Sequence, residues 1–267
     1  MQPSIHFAHA NGFSGACYAQ FTSVLGAQCT LAVEPMLAHD RRYPVTDGWP
    51  HLAAQLADSI RGQHSSPVIG LGHSLGGYLN VLAAARWPEL FRGVVLLDAP
   101  LTSRFQGSAM QFVKRMGLID RFMPSGSARA RRRDFDSAEQ ALEHFRRRPL
   151  FQHFTDACLR DYVRHGLRAR GKGLTLAFDA DIETHIYRTF PHRLSDAAGR
   201  MRCPAIMIAG RRSSVIGQTG LRATRRHMDV IEIDGGHLFP FEDPQATAAA
   251  VLDVCRRFAL SPDDIQL

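Results

Sequence analysis

Apolar residues cluster in short blocks towards both ends of the chain, and the blocks alternate between two periods. Ser4–His9, Leu31–Val33, Val68–Leu71, Gly93–Leu97, Pro204–Ala209 and Val230–Ile233 are strand-type runs bounded by Gly, Pro, Asn or Asp, and each predicts a strand. Between them, Cys17–Gly26, Trp49–Gln63, Leu75–Arg86 and Leu221–His227 predict helices. Trp49, Leu52, Ala53, Leu56 and Ile60 mark the helical repeat of the second, with Asp47 near its start. Asp243-Pro244 supplies a cap and a first-turn proline for a last helix reaching Phe258. The strand runs do not alternate strictly between apolar and polar, which points to a parallel sheet covered on both faces.

Residues 101–197 break this pattern. They hold aromatic and arginine-rich helical pieces, Gln111–Gly117, Ser137–Arg148, Thr155–Arg168 and Ile182–Thr189, and no clear strand. The expected organisation is an α/β core from 1–100 and 198–267, with 101–197 inserted as a helical cap. Phe105, Phe112, Met116, Phe122 and Met123 read as the apolar underside of that lid, packed more than pocket-lining.

Composition adds limits. The chain has 267 residues, 45% hydrophobic and 21% charged, enough for one large core plus a modest insertion. No basic-then-apolar leader opens it, and no apolar run approaches the roughly 18 residues of a membrane span. Five scattered cysteines without a C-x-x-C pattern suit reduced thiols and a cytoplasmic protein. The net charge is +7, but residues 101–200 carry 19 Lys and Arg against 11 Asp and Glu, so that segment is +8 and the rest −1. The triplets Arg131–Arg133 and Arg146–Arg148 read as solvated helix faces, because three adjacent helical residues cannot face one pocket. Neither nucleic acid nor membrane is therefore expected as a partner; a small-molecule substrate is, with the chain a monomer or homodimer.

The chemistry is carried by Pro67–Gly77, PVIGLGHSLGG. Gly72-His73-Ser74-Leu75-Gly76 fits G-x-S-x-G, a weak pattern alone, but here a strand precedes it and an alanine-rich helix follows at once. Glycines on both sides admit a tight turn that lifts Ser74 above the sheet at a helix N-terminus, where free amides favour developing negative charge.

In these residues the chain resembles the α/β-hydrolase family over nearly its whole length. The likeness rests on the loop HANGFSG, the elbow GLGHSLGG, the strand end VVLLDAP and the stretch DGGHLFPFEDP, in that order. The resemblance implies that Ser74 is the nucleophile and His237, in a glycine turn after the last core strand, is the base. It also implies an oxyanion hole from the amides of Leu75 and Phe13, with His9, Asn11 and Gly12 as possible support. With the first strand beginning by residue 4, the expected sheet has about six strands and lacks the antiparallel hairpin common at the start of this fold.

One piece departs from the family. Its acid usually follows the strand that here reads AIMIAG, yet the next residues are Arg211-Arg212-Ser213-Ser214-Val215, and no carboxylate occurs before Asp229. Asp98, at the end of the strand after the elbow helix, is the substitute, placed as in the haloalkane-dehalogenase branch; Ser213 or Ser214 could bond the histidine more weakly. The function expected is a cofactor-free serine esterase. The alternatives are a hydroxynitrile-lyase-like or acyltransferase enzyme of the same fold, or a small-molecule receptor with a vestigial site.

Overall fold

A computed structural model describes residues 2–259. Four strands come first: β1 (Ser4–Ala8), β2 (Thr30–Val33), β3 (Val68–His73) and β4 (Phe91–Leu97). Three short ones follow, β5 (Asp134–Phe135), β6 (Leu167–Arg170) and β7 (Gly173–Leu176). The chain then returns through β8 (Ala205–Gly210) and β9 (Asp229–Ile233). β1–β4, β8 and β9 form one six-stranded sheet in the order β2-β1-β3-β4-β8-β9, every pair parallel. The six strands are those the apolar runs predict.

Both faces of the sheet are buried, as the non-alternating runs require. Ile5, Phe7, Ile69, Leu71, Val95, Leu97 and Ile208 point into one core cluster, shared with helices Ala19–Gly26 and Pro244–Ala259. Ala8, Val68, Val94, Leu96 and Met207 point into the other, shared with helices Pro50–Gln63 and Leu75–Arg86. The strand order reverses between β1 and β3, so the crevice beyond their carboxyl ends is where an open α/β sheet places a ligand.

Several elements differ from expectation. Residues 101–197 contain a three-stranded antiparallel sheet, β5-β7-β6, beside their helices. Arg131–Arg133 lie beyond the helix Ser125–Ala130 and lead into β5, so they are not on a helix. Phe105, Phe112, Met116 and Phe122 face solvent instead of packing beneath a lid, while Met123 is half-buried. After β8 the helix is Ser214–Thr219, and only a single 3-10 turn, Thr224–Arg226, falls within the expected 221–227. Asp47 pairs with Lys114 rather than capping; Trp49 holds the cap position with φ 60°. No helix of the described residues is long and apolar enough to cross a membrane.

Candidate active site

Ser74 sits between β3 and helix Leu75–Arg86 with φ 51° and ψ −112°. Such a conformation costs about 1–3 kcal/mol and persists only where the surroundings dictate it. The surroundings here are glycines: a Cβ on Gly72 would lie 2.2 Å from the Gly76 carbonyl carbon, and one on Gly76 2.1 Å from the Ala8 oxygen. The Ser74 amide donates to Leu97 O (3.0 Å) and the Gly76 amide to His9 O (3.1 Å), tying the elbow to the end of β4 and to the residue just after β1. Ser74 itself is half-buried.

His237 arrives from the turn after β9. Its Nε2 lies 3.2 Å from Ser74 Oγ, and its Nδ1 lies 2.6 Å from Asp98 Oδ2. Because the carboxylate only accepts, Nδ1 carries the proton and Nε2 is left to accept from the serine. Asp98 is fully buried, has φ 47°, and follows β4 directly. Its Oδ1 accepts from the Gly210 amide (2.9 Å), and its Oδ2 also accepts from Ser213 Oγ (2.5 Å). Ser213, which stands after β8 where the family's acid usually lies, therefore bonds the aspartate and not the histidine ring. Ser214 is exposed in the first turn of its helix and touches none of these groups.

Two other histidines brace the site and are held neutral. Burial pushes His9 down to about 4. Its Nδ1 donates to Ala10 O (2.9 Å), and its Nε2 accepts from the Leu37 amide (2.9 Å). Burial, then the neighbouring His237, pushes His73 down to about 3. A chain of bonds with fixed direction runs through it. The Ala10 amide donates to Tyr18 Oη (3.2 Å), the Tyr18 hydroxyl donates to His73 Nδ1 (2.7 Å), and His73 Nε2 donates to His237 O (2.9 Å). The loop after β1, the elbow and the histidine turn are thus connected through two buried side chains. Sequence reading missed Tyr18, whose role depends on a contact 55 residues away.

The region expected to hold the oxyanion divides. Among the described residues the Leu75 amide donates to no acceptor, as does the Gly12 amide. The Phe13 amide does not match its expected role: it donates to Ala10 O (3.3 Å) across a turn in which Gly12 has φ 81°. The Phe13 ring is core, against Tyr162 and Phe241. Asn11 Nδ2 donates to Glu183 O (3.1 Å), leaving Oδ1 buried without a partner.

Above Gly12 the buried Glu183 pairs with a half-buried arginine that the triplets concealed. Arg131 donates to Glu183 Oε2 (2.6 Å) and to Tyr162 Oη (2.5 Å). Burial opposes the guanidinium's charge, but Tyr162 and Glu183 together hold it above its ordinary value. A Cβ on Gly12 would stand 2.9 Å from Glu183 Oε1 and 3.3 Å from Arg131 Nη1. Of the remaining triplet arginines Arg133 is half-buried and the others exposed, in pairs such as Arg133–Asp181 and Arg146–Asp156. All five cysteines are free, and no cluster of metal-ligating side chains occurs among the described residues.

An all-parallel six-stranded sheet with a strained serine at its switch point defines a recognisable class of α/β protein. The sequence matches the Alpha/beta hydrolase family profile over residues 7–250, and the chain belongs to that family. No curated protein sequence gives a significant match. Among solved structures, E-2-(acetamidomethylene)succinate hydrolase superposes with a TM-score of 0.74 at 19% identity, covering 94% of this chain and 90% of that one. An esterase of M. tuberculosis gives 0.70 at 22% identity, covering 96% and 86%. The thioesterase domain from the curacin biosynthetic pathway gives 0.70 at 14%, covering 94% and 91%. At these identities the likeness is one of fold.

Proposed function

We propose that the protein is a serine hydrolase that cleaves carboxylic esters through an acyl-enzyme on Ser74. The observation that carries this reading is the run of contacts Ser74 Oγ–His237 Nε2 (3.2 Å) and His237 Nδ1–Asp98 Oδ2 (2.6 Å). His237 takes the serine proton as Oγ attacks the carbonyl carbon, and Asp98 stabilises the imidazolium that forms. The tetrahedral oxyanion is held by the Leu75 amide and a second donor from the turn after β1, for which the Gly12 amide is now the better choice than Phe13. The imidazolium gives its proton to the departing alkoxide, leaving the acyl group on Ser74. Water, deprotonated by His237, then attacks the ester carbonyl and releases the acid. His237 passes the proton taken from water back to Ser74 Oγ as the acid departs, so it replaces the proton lost with the alcohol and the enzyme is regenerated without a metal or organic cofactor.

In this proposal residues 101–197 act as a lid. Contacts across the boundary support it: Asn11 to Glu183 O, Phe13 against Tyr162, and Trp49 Nε1 to Thr189 Oγ1 (3.0 Å). The receptor alternative rests on the lack of a carboxylate directly after β8; the 2.6 Å contact between Asp98 and His237 supports the enzyme reading instead.

The test is a panel of p-nitrophenyl esters, acetate to octanoate, with wild type and Ser74→Ala. The variant should lose at least about 10³-fold in kcat/KM, towards background. Release of equal alcohol and acid separates hydrolysis from lyase chemistry. Wild-type turnover in Ser74→Ala, or no turnover of any ester by wild type, contradicts the reading.

A further inference from the structure

Helix Arg104–Arg115 turns an apolar stripe towards solvent. Phe105 is 83% exposed, Phe112 64% and Met116 58%, and Phe122, just beyond the helix, 63%. At about 100° per residue, positions 105, 112 and 116 fall within roughly 40° of one another on the helix wheel, so they form one ridge. The opposite side of the helix is anchored. A Cβ on Gly107 would lie 1.9 Å from His192 O, Gln106 Nε2 donates to Thr219 O (2.9 Å), and Lys114 bonds Asp47 and the Phe190 carbonyl. Ser103 and Gln106 close a capping box at its start. With its inner face committed in this way, the helix cannot roll the phenylalanines inward without breaking these contacts.

Basic residues adjoin the ridge in sequence, Arg115 before Met116 and Arg121 before Phe122. Arg115, Arg121 and Arg129 have no ion-pair partner among the described residues, whereas the nearby Asp120 is committed to Arg188 and Ser125. Self-association through this face would bring these unpaired arginines of two copies together with no free carboxylate between them. A protein partner would need matching pockets for side chains as protruding as Phe105. A lipid surface needs none: protruding rings enter the acyl boundary one by one, and arginines meet the anionic headgroups.

We propose that this ridge is the face by which the protein docks on an anionic lipid surface. The inference departs from the sequence expectation of no membrane partner, and it does not rest on the catalytic reading. It involves peripheral binding only. The apolar rings supply insertion and the arginines supply the preference for negative headgroups, so the two contributions are separable.

The test is co-sedimentation of the full chain with phosphatidylcholine vesicles, with and without phosphatidylglycerol. Wild type should bind the mixed vesicles, and added salt should weaken that binding. Phe105→Ser/Phe112→Ser and Arg115→Gln/Arg121→Gln should each lower the partition coefficient about tenfold or more, with melting curves unchanged because all four side chains are exposed. The proposal is overturned if wild type ignores the mixed vesicles or if both double variants bind them as wild type does. It is equally overturned if sedimentation velocity shows a dimer that Phe105→Ser/Phe112→Ser dissolves.

Discussion

The frame around Ser74 and the segment 101–197 handle polar groups in opposite ways. In the frame, His9, His73 and Asp98 are fully buried, and each makes bonds whose donor and acceptor are fixed. In the segment many charges are paired at the surface, where solvent screens them, and large apolar side chains stand in water. Arg131 and Glu183 are the exception: a largely shielded pair of the segment, with Glu183 buried, that rests on the Gly12 turn of the frame. The contrast teaches where precision is kept. Groups aligned for chemistry are held by buried directional bonds, which tolerate little change, while the segment leaves its outer face free to vary.

Substitutions can break this contrast, and they are expected to rank by burial and directionality. Asp98→Asn comes first. It keeps the shape but removes the charge and the fixed tautomer of His237, so kcat should fall by roughly 10²–10⁴ with KM little changed; steady-state kinetics on a p-nitrophenyl ester measure it. Arg131→Met leaves Glu183 buried without its cation and should cost about 3–5 kcal/mol of stability, seen as a melting temperature lower by roughly 5–15 °C. Tyr18→Phe strips a donor from His73 and an acceptor from the Ala10 amide. A loss of about 1–3 kcal/mol in urea unfolding is expected, with a several-fold drop in kcat and an altered His73 ring-nitrogen NMR signal. Arg147→Ala, which removes an exposed partner of Glu143, should move the melting temperature by less than about 1 °C. If Arg147→Ala proved as damaging as Arg131→Met, the distinction between frame and segment would fail.

The same contrast explains what could be read from the sequence. The six sheet strands were legible because each is a local apolar run, and the elbow because glycines must flank a turn with no room for Cβ atoms. The closeness of Asp98 to His237 was legible through chain order and its place at a strand end. Arg131 looked like one of three solvated arginines because its partner Glu183 lies 52 residues away. The β5-β7-β6 sheet was missed because β6 reads Leu-Arg-Ala-Arg, mostly exposed, and exists only through long-range pairing. Phe105, Phe112 and Met116 stood out as an apolar set, but apolar residues alone do not say which side of a helix meets the core. The bond from the Phe13 amide to Ala10 O was not legible, because backbone donors carry no side-chain signature and that turn depends on the local fold.

The acyl-enzyme itself gives the most direct test of the central claim. Wild type would be mixed with p-nitrophenyl acetate, quenched in acid within the first turnover and digested for mass spectrometry. A nitrophenol burst with one acetyl group on the peptide containing Ser74, both absent in Ser74→Ala, is the predicted result. A burst with the acetyl group on another residue, or steady hydrolysis that survives loss of the serine hydroxyl, would contradict the account.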